Sequence, residues 1–86
     1  MKELSREVSY VNNQKSMAEF IERLANDYSS NKEDWVNSDF KSFLFAMSAW
    51  VEDMDSYYRN SGQPYDESNI SWKNFADILM ASRIYE

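Results

Sequence analysis

Eighty-six residues that include three Trp, six Tyr and five Phe are enough for one hydrophobic core and too few for two. The chain has no His and no Cys, which removes the commonest general base, the thiolate nucleophile, the disulfide, and the nitrogen and sulfur ligands of metals; no cofactor and no metal is expected, and no enzyme. Fifteen acids against nine bases give a formal net charge of −6, a sign that opposes binding to a phosphate backbone or an anionic membrane, so neither nucleic acid nor membrane is an expected partner.

The opening segment, residues 1–15, has two readings. Leu4, Val8 and Val11 have the spacing of a short helix, but Val8-Ser9-Tyr10-Val11 also fits an extended strand. Met1 to Glu7 lack the apolar run of a signal peptide, and a cytoplasmic location is expected. A single helical domain then fills residues 16–86. Ser16 and Glu19 have capping-box spacing, and Met17, Phe20, Ile21, Leu24 and Tyr28 follow as one apolar stripe, which predicts a helix over about 16–30. Trp35 lies in a polar stretch; plugging the end of a bundle is the favoured role, and exposure the other.

Asn37 or Ser38 can cap a second helix over about 38–60, with Asp39 at the positive end of its dipole. Phe40, Phe43, Leu44, Met47, Trp50, Val51, Met54 and Tyr58 share one arc, with Tyr57 at its edge, so this helix is expected at the centre of the fold and is expected to stop at Gly62. Ser71 opens a third helix over about 71–85, in which Ile70 and Phe75 have hydrophobic-staple spacing and Trp72, Phe75, Ala76 and Leu79 line a face widened by Ile78, Met80 and Ile84. The predicted fold class is all-α, a small antiparallel bundle of three main helices. Phe45 falls opposite the main stripe of the second helix. Either the N-terminal segment covers it through Leu4, Val8 or Val11, the commoner solution, or it is a candidate oligomer contact.

Motif chemistry is sparse. Glu52 and Asp55 are i, i+3 neighbours beside Lys41 and Arg59, the pattern of a solvated charged face rather than a buried acid–base pair. Asp53-Met54-Asp55 fails as a calcium loop because Tyr57, Tyr58 and Pro64 occupy the positions that need an acid, a glycine and the closing glutamate. The candidate interaction surface is acidic and aromatic: Glu52, Asp53, Asp55, Tyr57 and Tyr58 near the end of the second helix, then Tyr65, Asp66 and Glu67 in the following loop. Tyr57 and Tyr58 have a second reading as core-edge residues. Beyond Lys41 seven acids face three bases, so the expected partner is a protein, and a basic one.

Trp35-x-Asn37, Phe43-Leu44, Trp50, Asp53, Tyr57-Tyr58, Asn60-x-Gly62, Ser71-Trp72, Phe75-Ala76, Leu79, Ala81 and Tyr85-Glu86, in that order, resemble a family of short bacterial domains of unknown function, over Phe20 to Glu86. The resemblance implies a bacterial, cytoplasmic, stand-alone protein and carries no activity with it. Two functional classes follow. One is a non-catalytic domain that masks a basic protein, as the immunity protein of a bacterial toxin does. The other is a structural or regulatory module acting as a homo-oligomer through Phe45 or the third helix; between the oligomeric states, a monomer is favoured.

Overall fold

Side-chain caps set the ends of the helices. The computed structural model describes residues 2–86, which form α1 (Lys2–Val8), α2 (Gln14–Ser30), α3 (Phe40–Ser61) and α4 (Trp72–Ser82), with a 3-10 turn at Lys32–Asp34. At the start of α2 the Asn13 side chain accepts the Ser16 amide and the Ser16 hydroxyl accepts the Asn13 amide. The capping box therefore lies three residues before the Ser16–Glu19 pair, because serine serves equally well as the reciprocal acceptor. Asp39, rather than Asn37 or Ser38, caps α3 by accepting the amide and hydroxyl of Ser42 at 2.8 and 2.9 Å. Gly62, at φ 71°, ends α3 in the left-handed conformation that glycine adopts without penalty. Ser71 and Asn74 form the box that starts α4.

The fold is all-α, and among the described residues no helix is long and apolar enough to cross a membrane. Its hub is α4, not α3. Helices α1, α2 and α3 each pack against α4, whereas no Cα of α2 lies within 8 Å of one in α3. The small Ala76 and Ser82, both fully buried, let neighbours approach α4 closely. α3 runs antiparallel to α4: Tyr58, near the end of α3, donates to Asp77 at 2.6 Å, while Tyr85, past the end of α4, donates to Asp53 at 2.8 Å. Only Ala46, Trp50, Met54 and Tyr58 of α3 are buried, a stripe of every fourth residue. Phe40, Leu44 and Val51, expected in the core, are exposed, Phe40 by 77%.

Two clusters make up the core. Trp50, Met54, Tyr58 and Ile78 join α3 to α4. Leu4, Val8 and Val11 pack with Met17, Phe20, Leu24, Trp35 and Ala76 between α1, α2 and α4. The N-terminal segment is thus a helix, and it docks away from α3. Phe45 is left 66% exposed, which overturns the expectation that this segment covers it. Trp35 plugs the first cluster, as the favoured reading has it. Trp72 is 41% exposed instead of buried, and Ile70 and Phe75 are exposed with it. The reason is that α4 turns Asn74, Ala76, Ile78 and Ser82 inward, an angular offset from the stripe that begins at Trp72.

Replacing Trp50 with Ala should cost about 3–5 kcal/mol in urea unfolding, and replacing Trp72 about 1 kcal/mol or less. Equal losses would contradict the assignment of one ring to the core and the other to the surface.

Candidate functional site

The acidic aromatic end of α3 is only partly a surface. Glu52, Asp53, Asp55, Asp66 and Glu67 are exposed. Asp55 pairs with Arg59 at 3.3 Å and Asp66 accepts the Ser68 amide at 3.0 Å. The hydrogen bond to Asp53 raises the Tyr85 hydroxyl pKa above its ordinary value. Tyr57 is exposed, but Tyr58 is 1% exposed and belongs to the same buried stripe as Trp50 and Met54. Its ring stacks on the half-buried Tyr65 at 4.9 Å, and burial together with the Asp77 carboxylate pushes its hydroxyl pKa far above the usual tyrosine value. Tyr58 is therefore no contact anchor, and Tyr65 is its cover. Lys73 completes this group by reaching Asp77 at 3.1 Å. What the surface presents is a set of carboxylates with Tyr57 as the exposed ring.

A buried polar site is one that periodicity hides. Asp27 lies on the buried face of α2, in register with Met17, Phe20 and Leu24. Its Oδ2 accepts the Trp35 indole N–H at 2.8 Å and its Oδ1 accepts the Asn31 side-chain amide at 3.1 Å. The Arg83 guanidinium stands 3.7 Å from Oδ2 and 5.8 Å from the Trp35 ring centroid, with the two ion-pair side chains 9% and 4% exposed. Burial pulls the Arg83 pKa down, against the attraction of Asp27 and Asp34. Two residues along from Trp35, the Asn37 backbone amide donates to the Arg83 carbonyl at 2.8 Å and its side chain donates to the Ser82 and Tyr85 carbonyls, both at 3.0 Å. These are carbonyls that the end of α4 would otherwise leave open. Trp35-x-Asn37 is thus a clasp: Trp35 fastens the α2–α3 connection to α2, and Asn37 fastens it to the end of α4.

The clasp also shapes a groove. Trp35 meets Tyr28 edge-on at 5.0 Å and stacks on Phe43 at 5.8 Å, while the Tyr28 hydroxyl donates to the Ser38 carbonyl. Because α2 and α3 do not close on each other, an apolar groove of about 390 Å³ opens between them, walled by Ile21, Ala25 and Tyr28 on one side and Phe40 and Phe43 on the other. A second groove, of about 700 Å³, runs near α4 past Val11, Ile70, Trp72 and Phe75. Among the described residues no cluster of three or more acids is arranged to hold a metal ion.

These features define an acidic helical domain whose clasp joins three of its elements. A family model matches residues 13–86, and the chain belongs to that family, the family of unknown function DUF7660. The match begins at the cap of α2, earlier than Phe20, and includes both the clasp and the groove while leaving α1 outside. No curated protein and no solved structure matches the chain.

Removing the Asp27 carboxylate strands a buried guanidinium. Asp27→Ala should cost about 3–5 kcal/mol, and the double variant Asp27→Leu/Arg83→Met should recover much of that loss, both read from urea unfolding. A single-variant loss below about 1 kcal/mol would mean that the pair is not held out of water.

Proposed function

We propose that this chain is a non-catalytic protein-binding domain that recognises a basic partner. The observation that carries the reading is the apolar edge of α3, where Phe40, Leu44 and Val51 are exposed on one face beside Asp55, with Phe45 and Tyr57 exposed elsewhere on the same helix. Large apolar side chains held in water and rimmed by charge are what a docking surface requires. A surplus of carboxylates suits a cationic partner, which it steers by long-range attraction. The non-catalytic part is supported by the roles of the buried and half-buried charged groups: Asp27 and Arg83 join helices, and the half-buried Asp77 holds Tyr58 and Lys73. A bacterial, cytoplasmic immunity-type protein that masks a basic toxin is the biological setting that small size and acidity support best.

One observation favours a second reading, a homo-oligomer. The exposed Phe45 ring has the Lys41 ammonium 5.9 Å from its centroid, an arrangement that a second copy could bury whole. Light scattering over a range of concentrations separates the two readings, since Phe45→Ser should convert a dimer into a monomer and leave a monomer unchanged.

Affinity capture from the native host checks the main reading. Wild-type protein should retain a basic protein at low salt and release it as ionic strength rises, because exposed charges are screened beyond about 10 Å at 0.1 M. Reversing Glu52, Asp55, Asp66 and Glu67 together to Lys should slow association and weaken the capture. Retention indifferent to both salt and reversal would contradict it.

A further inference from the structure

We infer that the groove between α2 and α3 receives an amphipathic helical segment of the partner, its apolar side chains seated on Tyr28, Trp35 and Phe43 and its Lys or Arg side chains passing Asp39 and Glu22. This rests on the protein-binding reading above and assigns it a place. The groove is a built gap rather than a crease. Trp35, at its floor, cannot rotate away without breaking its bond to the buried Asp27, and Tyr28 is tied to the Ser38 carbonyl. Ile21, Ala25 and Tyr28 follow at i, i+4 and i+7, so the α2 wall is two turns long, roughly 10 Å at 1.5 Å per residue. Apolar anchors at that spacing are how a groove reads a helix.

The chemistry of the lining favours an apolar occupant over a polar metabolite. Every side-chain donor on Tyr28, Trp35 and Asn37 is already engaged, by Ser38, by Asp27, and by Ser82 and Tyr85 respectively. What remains is a largely apolar surface that carries the Ser38 hydroxyl and the Asp39 carboxylate, with the Lys32 ammonium 5.3 Å from the Tyr28 ring centroid. Asp39 is the charged residue among those lining the groove, and the amide and hydroxyl of Ser42 hold its carboxyl below the ordinary carboxylate range, so the charge persists in mild acid. Glu22 adds a second carboxylate next to Ile21 on the exposed side of α2. A second copy of this chain would bring its own net charge of −6 to the same place, whereas a cationic helix is complementary.

The test uses two fluorescent peptides of about 18 residues that share Leu at i, i+3, i+4 and i+7, one carrying Lys at the polar positions and the other Glu. Binding is followed by anisotropy and located by amide chemical shifts on the whole chain. Ile21→Ser and Phe40→Ser alter exposed wall residues, and melts confirm that both remain folded. The Lys peptide should bind, shift residues of the groove, and lose about tenfold or more in affinity to either variant, while Phe45→Ser leaves it unchanged. The Glu peptide should bind about tenfold more weakly or worse. Binding that maps instead to Tyr57, Asp66 and Glu67, or to Trp72 and Phe75, overturns the groove as the site and leaves the protein-binding reading standing. Failure of the Lys peptide to bind, equal binding of the two peptides, or a concentration-dependent dimer lost in Phe40→Ser each overturns the basic-helix occupant. The protein-binding reading itself falls only with the capture experiment.

Discussion

A carboxylate in a protein interior is unfavourable unless neighbouring donors replace the water it has lost, and Asp27 has three such neighbours: the Trp35 indole, the Asn31 amide and the Arg83 guanidinium. An arrangement of this kind adds little net stability over an apolar core of the same volume. What it adds is geometry. The indole N–H fits the carboxylate in one direction, and Asn37 meets the last carbonyls of α4, so the α2–α3 connection is held across that end of the molecule. The ends of α2 and α4 are thereby both tied to the connection that leads into α3.

The placement of α4 follows from the same constraint. With the connection pinned to the end of α4, α2 and α3 flank that helix instead of closing on each other, and each keeps an apolar edge in water. In a three-helix bundle with mutual contacts, Ile21, Phe40 and Leu44 would be core residues. Here they border the groove or the outer side of α3. The extent of exposed apolar surface on an acidic chain is thus a consequence of topology, and it is what the functional reading draws on.

Much of the fold was legible in the sequence because helices announce themselves through period and caps. The two long helices and α4 lie close to where their apolar spacing places them, and Gly62 and Ser71 end and begin their helices as expected. The period of an apolar stripe, however, does not state its width. Phe40, Leu44, Val51 and Trp72 belong to the right arcs by spacing, and only the crossing of neighbouring helices decides that they stay in water. Tyr58 failed as a surface candidate for the converse reason: it continues the Trp50–Met54 stripe by one more turn, and that stripe is the part of α3 that meets α4. Asp27 was invisible because an acid within an amphipathic helix reads as solvated. Its signal was present as an acid in register with Met17, Phe20 and Leu24, with a Trp eight residues later whose N–H needed an acceptor. The Trp-x-Asn spacing within the ordered resemblance has its physical reason in the clasp, and the family match over residues 13–86 contains it whole.

Hydrogen exchange at the three indole N–H groups measures the central constraint most directly. If the Trp35 indole is bonded to a carboxylate withdrawn from water, its N–H should exchange only when the whole domain unfolds, with a protection free energy equal to the global stability. The exposed Trp72 indole should exchange orders of magnitude faster under the same conditions. A Trp35 N–H that exchanges as fast as that of Trp72, in a domain that is otherwise folded, would show that the Asp27 clasp opens freely and does not hold the helices in place.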